Sequence, residues 1–301
     1  MMIKLLKRSI ILLTIVIVTG CGQQGTQGEE PTIQVKLADG QINKMNIEEY
    51  VAGVVAGEMK KGWPKNAYAA QAIIARTFTL KRLEENGNNT ISAKHEEAQA
   101  YRPENISSEI RESVKMTKGE VITYQNKYIR GWFHSSAGGQ TTSAKVGLAY
   151  KEAEPPYIQS IKSPDDLAPA DIKNWQVRIS KEEILRVLEQ TGEKATEIKN
   201  IKVLNYDKSG RIIDLELIFE QGSKKIKGAE FRTLIGPDKL KSILIKTIKK
   251  SGDSFIFAGS GYGHGVGMSQ WGAYKLAKEG KTAEEIINYY FKDIKIVKRW
   301  D

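Results

Sequence analysis

Glu58 closes a small-residue, apolar stretch, Val51-Ala52-Gly53-Val54-Val55-Ala56-Gly57. At helical spacing Val54, Val51 and Ile47 stand four, seven and eleven residues behind it, on one stripe. A carboxyl group on a buried stripe loses hydration and its pKa rises, so it can hold a proton near neutral pH. A general acid that protonates a leaving oxygen needs that property. A structural glutamate paired with a base would show the same pattern. Arg76 lies on the small face of the following segment, with Ala69, Ala72, Ile73 and Leu80. A buried guanidinium requires an anionic partner. Glu58, nearest in sequence, and an anionic substrate group are the candidates, which favours an active-site role for Arg76 over a structural bridge.

Two later blocks carry polar groups on glycine-rich backbone. His134-Ser135-Ser136-Ala137-Gly138-Gly139-Gln140-Thr141-Thr142 follows a strand and offers small hydroxyls that can approach a ligand closely. Gly259-Ser260-Gly261-Tyr262-Gly263-His264-Gly265-Val266-Gly267 places glycine at every second position, which leaves that edge bare except for backbone and His264. Ser269 then caps a helix beginning with Gln270, whose N-terminal N–H groups favour a polarised oxygen. Ser135, Ser136, Thr141, Gly263, Gly265 and Gln270 are therefore candidates for substrate binding, with His134 and His264. Lys173 and Trp175 join them as a basic–aromatic pair in an irregular segment.

Other chemistries fit less well. The glycine run lacks the Gly-Lys-Ser/Thr of a P-loop. Gly267-Met268-Ser269-Gln270-Trp271 breaks the nucleophile-elbow pattern at its last position. A metal centre would have to draw on His95, His134, His264 and carboxylates, and no His-x-x-x-His pair is present. No metal or cofactor is assigned, although a site near His134 and His264 stays open.

The elements that must position these groups are legible in outline. Asn46 with Glu49 reads as a capping box ahead of the Glu58 helix, and Gly62-Trp63-Pro64 ends it. A second helix covers 66–83. Ile33 to Leu37, turning at Asp39-Gly40, and Val121 to Tyr124, turning at Gln125-Asn126-Lys127, read as hairpins. Val203 to Phe219 reads as another, around Asp207-Lys208-Ser209-Gly210. Ser180 with Glu183 and Thr282 with Glu285 announce two further helices, and 240–248 has the spacing of a short amphipathic one. Helices and hairpins alternate without a βαβ rhythm, which predicts an α+β fold of two lobes around a central cleft.

The first twenty residues have a positive head at Lys4, Lys7 and Arg8, an apolar core over 10–18 and a small-residue exit, as an export signal does. Cys21, the single cysteine among 301 residues, excludes an internal disulfide. Residues 21–32 are polar and glycine-rich and read as a tether, with residues 33–301 as the catalytic domain and a lobe boundary near 147–179. The net charge of +10 is dispersed, with no arm suited to nucleic acid. Cell-wall polymers and lipid head groups are the polyanions an exported chain would meet.

The blocks VAGVVAGEM with WPKNAYAAQAIIARTF, then GWFHSSAGGQT, then GYGHGVGMSQWGA, in that order, resemble the SpoIID/LytB family of bacterial cell-wall proteins. The resemblance implies a peptidoglycan lytic transglycosylase that cleaves between N-acetylmuramic acid and N-acetylglucosamine and leaves 1,6-anhydro ends, on strands stripped of stem peptides. It implies cooperation with an amidase that strips them. Glu58 falls on the family's catalytic glutamate and Arg76 on its active-site arginine. The signal before Cys21 resembles that of a lipoprotein, in which the cysteine is lipidated and the protein stays on the outer face of the cytoplasmic membrane, facing the wall. Sporulation members use a membrane-spanning anchor instead, which opens germination or general wall remodelling as roles. Two other readings stand beside this one: a non-catalytic glycan-binding module that stimulates an amidase, and a metal-dependent hydrolase.

Overall fold

The computed structural model describes residues 28–37, 39–94 and 98–301; the export segment, Cys21 and His95 lie outside them. The first lobe begins with β1 (Thr32–Lys36) and β2 (Ile42–Asn46), an antiparallel hairpin turning through Gly40, and α1 (Ile47–Glu58) follows directly. Next come α2 (Lys65–Asn86), β3 (Thr90–Ser92), α3 (Ser108–Met116), β4 (Glu120–Tyr124), β5 (Lys127–Tyr128), β6 (Phe133–His134) and α4 (Ala144–Gly147). Gln125 and Asn126 both take positive φ, as a type I′ hairpin turn between β4 and β5 requires.

A short helix, α5 (Ala170–Lys173), ends this stretch; the second lobe comprises β7 (Trp175–Ser180), α6 (Lys181–Gln190), β8 (Ile198–Tyr206), β9 (Ile212–Phe219), β10 (Gly222–Lys227), α7 (Gly228–Ile235), β11 (Ile245–Ser251) and β12 (Ser254–Gly259). The chain then returns to the first lobe with β13 (Met268–Ser269), α8 (Gln270–Lys278), α9 (Ala283–Tyr290) and β14 (Lys295–Lys298). Two cores result. One gathers residues from Ile33 to Ile172 and again from Met268 to Trp300, around α1 and α2; the other runs from Trp175 to Phe257. The second lobe is thus an insertion, and the fold is α+β.

Several local readings give way to tertiary ones. Asn46 is the N-cap of α1 but makes no side-chain cap; Glu30 reaches the Glu48 N–H instead, at 3.4 Å. The stretch 240–248 is not a helix: β11 begins at Ile245 and pairs antiparallel with β12. Within the tether expected over 21–32, the described residues are docked, since Gly28 N–H donates to Arg299 O at 2.8 Å and Glu30 pairs with Lys118 at 3.1 Å.

Alanines make α2 a close-packing helix: Ala67, Ala69, Ala70, Ala72 and Ala75 are all buried. Small side chains let neighbouring helices approach closely, and α1, α8 and α9 pack on this surface.

Candidate active site

Glu58 is the last helical residue of α1, because Met59 turns to an extended conformation. The side chain is half-buried, and its Oε1 accepts a hydrogen bond from Ala100 N–H at 2.7 Å. Ala100 to Arg102 can lie this close because α1 presents Gly53 and Gly57 to them. A Cβ on Gly57 would come within 2.5 Å of Ala100 O, one on Gly53 would run into the Tyr101 ring, and Arg102 N–H donates to Gly53 O at 2.9 Å. Beneath them Tyr101 stacks on Tyr50 with ring centroids 5.4 Å apart. The Tyr50 phenol is buried and its pKa is raised, chiefly by desolvation; Gln99 opposes the shift and the charge of Glu58 adds to it.

The Glu58 end of α1 meets the two glycine-bearing blocks. Lys60 Nζ lies 5.3 Å over the Trp271 ring, Trp63 packs on the same indole at 4.8 Å, and Trp271 N–H donates to Ser135 O at 3.0 Å. β13 pairs parallel with β6, matching Ser269 to His134, and Ser136 bridges Tyr262 in both directions at 2.9 Å. Across from Lys60 stands Asp171, its carboxyl held below the usual range by its pair with Lys241 at 3.0 Å, with Lys60 contributing. Lys241 in turn lies over the Tyr262 ring, whose hydroxyl donates to Asp238 at 2.8 Å. Lys60, Asp171, Lys241 and Tyr262 were not singled out in the sequence. Tyr262 and Trp271 sat inside a chosen block, whereas the lysines and Asp171 carried no local signal.

The structure corrects the role of several residues expected to hold a sugar. His134 Nδ1–H donates to Val266 O at 3.1 Å and the ring is buried. His264 Nδ1 accepts from Val266 N–H at 3.1 Å, and its other nitrogen serves the Phe133 carbonyl. The glycines at 261, 263, 265 and 267 all take positive φ, so this stretch is a series of left-handed turns and not a bare strand edge. His264 itself is half-buried, its ring beside that of His134 with centroids 5.5 Å apart. Thr141 is buried and its hydroxyl donates to Gln159 O at 2.8 Å. Ser136 is buried, with its hydroxyl accepting Gly138 N–H at 3.3 Å.

Gln270 is buried and faces Gln71 at 3.4 Å. Gly263 backs onto the His134 Cβ, and Gly265 lies flat against the Arg211 guanidinium. Trp175 is a core residue whose Nε1–H donates to Gly261 O at 3.0 Å. Of the expected set, Ser135 keeps a half-buried place on the open side, and Lys173 stays exposed with Nζ donating to Asp166 O at 3.2 Å.

Both histidines are held neutral. The pKa of His134 is driven well below 6.5 by burial and then by its charged neighbours; that of His264 falls to about 3, through burial and Arg232. In the unfolded chain each would titrate near 6.5. Their contribution to stability is therefore complete above pH 6.5 and shrinks as pH falls below it, for His264 until about pH 3. Each histidine should cost at most about 1.4 kcal/mol per pH unit within that window. The denaturant midpoint should drop between pH 7 and 5, while the two ring resonances stay at their neutral shifts in nuclear magnetic resonance spectra.

Arg76 is also corrected. Its guanidinium is fully buried and fork-bonded to Glu48, through Nε at 3.0 Å and Nη2 at 2.6 Å, with Nη1 donating to Glu120 O at 2.8 Å. Glu48 Oε1 also accepts from Gly119 N–H at 3.0 Å and Trp300 Nε1–H at 2.9 Å. Glu48 and Glu58 bracket α1, about 15 Å apart along its axis. Arg76 thus ties α2 to α1 and β4, and Glu48 ties α1 to Trp300 beyond β14, at the far end from Glu58. A hollow of about 310 Å³ beside Glu48, edged by Glu30, Glu49, Arg111 and Lys118, belongs to that end as well.

A sequence profile for the stage II sporulation protein matches residues 38–124, and a profile for a domain of unknown function matches residues 158–267. The chain is 33% identical to an uncharacterised protein of Brachyspira hyodysenteriae, over 85% of this chain and 68% of that one. It is 30% identical to the stage II sporulation protein D of Bacillus subtilis, over 87% of this chain and 77% of that protein. It is 26% identical to the amidase enhancer of the same organism, over 79% of this chain and 39% of the enhancer.

Proposed function

The chain belongs to the stage II sporulation protein D family, and from that membership we propose that it is a cell-wall lytic transglycosylase with Glu58 as its acid and base. One observation carries the reading. Glu58 is half-buried, one carboxylate oxygen is fixed by a backbone N–H, and it sits where the GEM block meets the glycine-bearing blocks through Lys60 and Trp271.

In the proposed reaction the protonated Glu58 carboxyl gives its proton to the oxygen between N-acetylmuramic acid and N-acetylglucosamine. The bond from that oxygen to C1 of the muramic acid breaks. The C6 hydroxyl of the same sugar attacks C1, and Glu58 takes up the hydroxyl proton. No water is consumed, the product carries a 1,6-anhydro ring, and the carboxyl group ends protonated as it began. One carboxylate suffices because the nucleophile belongs to the substrate, whereas ordinary glycosidases need two. Lys60, Ser135 and Tyr262, which keep some exposure on that side, would orient the strand, with Trp271 backing Lys60. Lipidation at Cys21 would hold the enzyme on the outer face of the membrane.

A second reading follows from the similarity to an amidase enhancer: the chain binds glycan and stimulates a partner amidase without cutting. Incubating the purified protein with peptide-free glycan strands separates the two. Lysis yields anhydro ends, lighter by one water than ends left by a hydrolase. Strand binding with no new ends would support the enhancer reading and end the enzymatic one. Reducing ends sensitive to a chelator would instead indicate a metal-dependent hydrolase.

A further inference from the structure

β8 and β11 are both terminal strands: β8 pairs only with β9, and β11 only with β12. Their outer edges face each other across a groove of about 450 Å³. Lys250 Nζ donates to Lys199 O at 3.2 Å at one end, while Tyr206 and Ile245 stand at the other, so the strands run in opposite senses. No backbone hydrogen bond joins the two edges among the described residues. The groove has an apolar floor, Ile201 and Ile245, which belong to the second core. Its walls carry Lys202, Lys246 and Lys249, all exposed and none in an ion pair among the described residues.

A single edge strand bearing lysines and bulges reads as protection against unwanted pairing. Both devices are present, since β8 and β11 each break register. Two facing edges over one apolar floor, with lysines contributed from both sides, make a different object. They offer a strand both backbone partners it needs and a field of one sign. A polyanion without a peptide backbone would use the lysines and leave the amides and carbonyls idle.

We propose that this groove receives an extended acidic segment of a partner protein, which adds as a strand between β8 and β11. The lysines select and steer the segment, and the edges fix its register. This site lies in the inserted lobe and does not depend on the Glu58 chemistry.

The test uses the purified protein and a fluorescein-labelled peptide of about eight residues, alternating valine and glutamate. Fluorescence anisotropy should show saturable binding, and the amides of residues 200–206 and 245–249 should exchange more slowly with the peptide present. Methylating alternate peptide nitrogens keeps the charge but blocks strand pairing, and should weaken binding about tenfold or more. The variant Lys202→Ala, Lys246→Ala, Lys249→Ala should lose a similar factor while glycan-strand chemistry is unchanged. Equal binding of the methylated peptide, with displacement by inorganic polyphosphate, would overturn the proposal in favour of a polyanion site. No saturation up to about 1 mM peptide, a free-energy floor near −4 kcal/mol, would overturn it outright.

Discussion

Glu58→Gln is expected to cut the release of anhydro-muramic ends by about 10²–10⁴-fold, the range that follows removal of a general acid. The substitution preserves shape, and the amide oxygen can still accept the Ala100 N–H that Glu58 Oε1 now accepts at 2.7 Å. Strand binding and the thermal midpoint should therefore stay close to those of the unaltered protein. Product assay, strand binding and unfolding are read on the same preparation, so loss of chemistry is separated from loss of fold. Undiminished release of anhydro ends by the glutamine variant would remove Glu58 from the reaction.

Arg76→Met should produce the largest loss of stability, about 3–5 kcal/mol, because it strands the Glu48 carboxylate, only 13% exposed, without its cation. Glu120 O would lose its donor, and Glu48 would keep only Gly119 and Trp300 as partners. Adding Glu48→Leu removes the stranded charge and should recover much of the loss, since replacing a whole buried pair with apolar groups is often close to neutral. Denaturant unfolding of the two variants measures this. Turnover per folded molecule should change little in the double variant. A double variant that regains stability yet yields no anhydro ends would restore Arg76 to the active site.

The sequence revealed those features whose causes are local. Ser180 with Glu183 and Thr282 with Glu285 close reciprocal capping boxes that need no other part of the chain, and both form. The Asn46 box does not form: Asn46 Oδ1 accepts from the Thr32 hydroxyl across the first hairpin, and Glu30 takes the Glu48 N–H. Residues 240–248 carry a helical period, but a full strand partner in β12 outweighs it from Ile245 on.

Arg76 shows the same limit. Glu58 is nearer in sequence, yet α1 and α2 pack against each other, and Arg76 reaches Glu48 at the opposite end of α1. Alternate glycines suggested an extended edge, whereas the backbone uses them for left-handed turns that no side chain would tolerate well. The Glu58 block was legible because a lone acid in a run of small apolar residues is a chemical anomaly. The polar groups around it come from several separate stretches, and nothing in any one of them announces the others.

Arg211 belongs to the inserted lobe, but its buried guanidinium donates to Gln140 O at 2.6 Å and Ala137 O at 2.7 Å, in the loop that follows β6. Burial lowers its pKa only to about 10, so it is a cation at any physiological pH. Swinging the two halves apart would cost the cation both carbonyl partners and leave it only Ser209 and the charge of Asp207 from its own lobe. The two halves are consequently clamped together at this point rather than hinged, and their separation there is set when the chain folds.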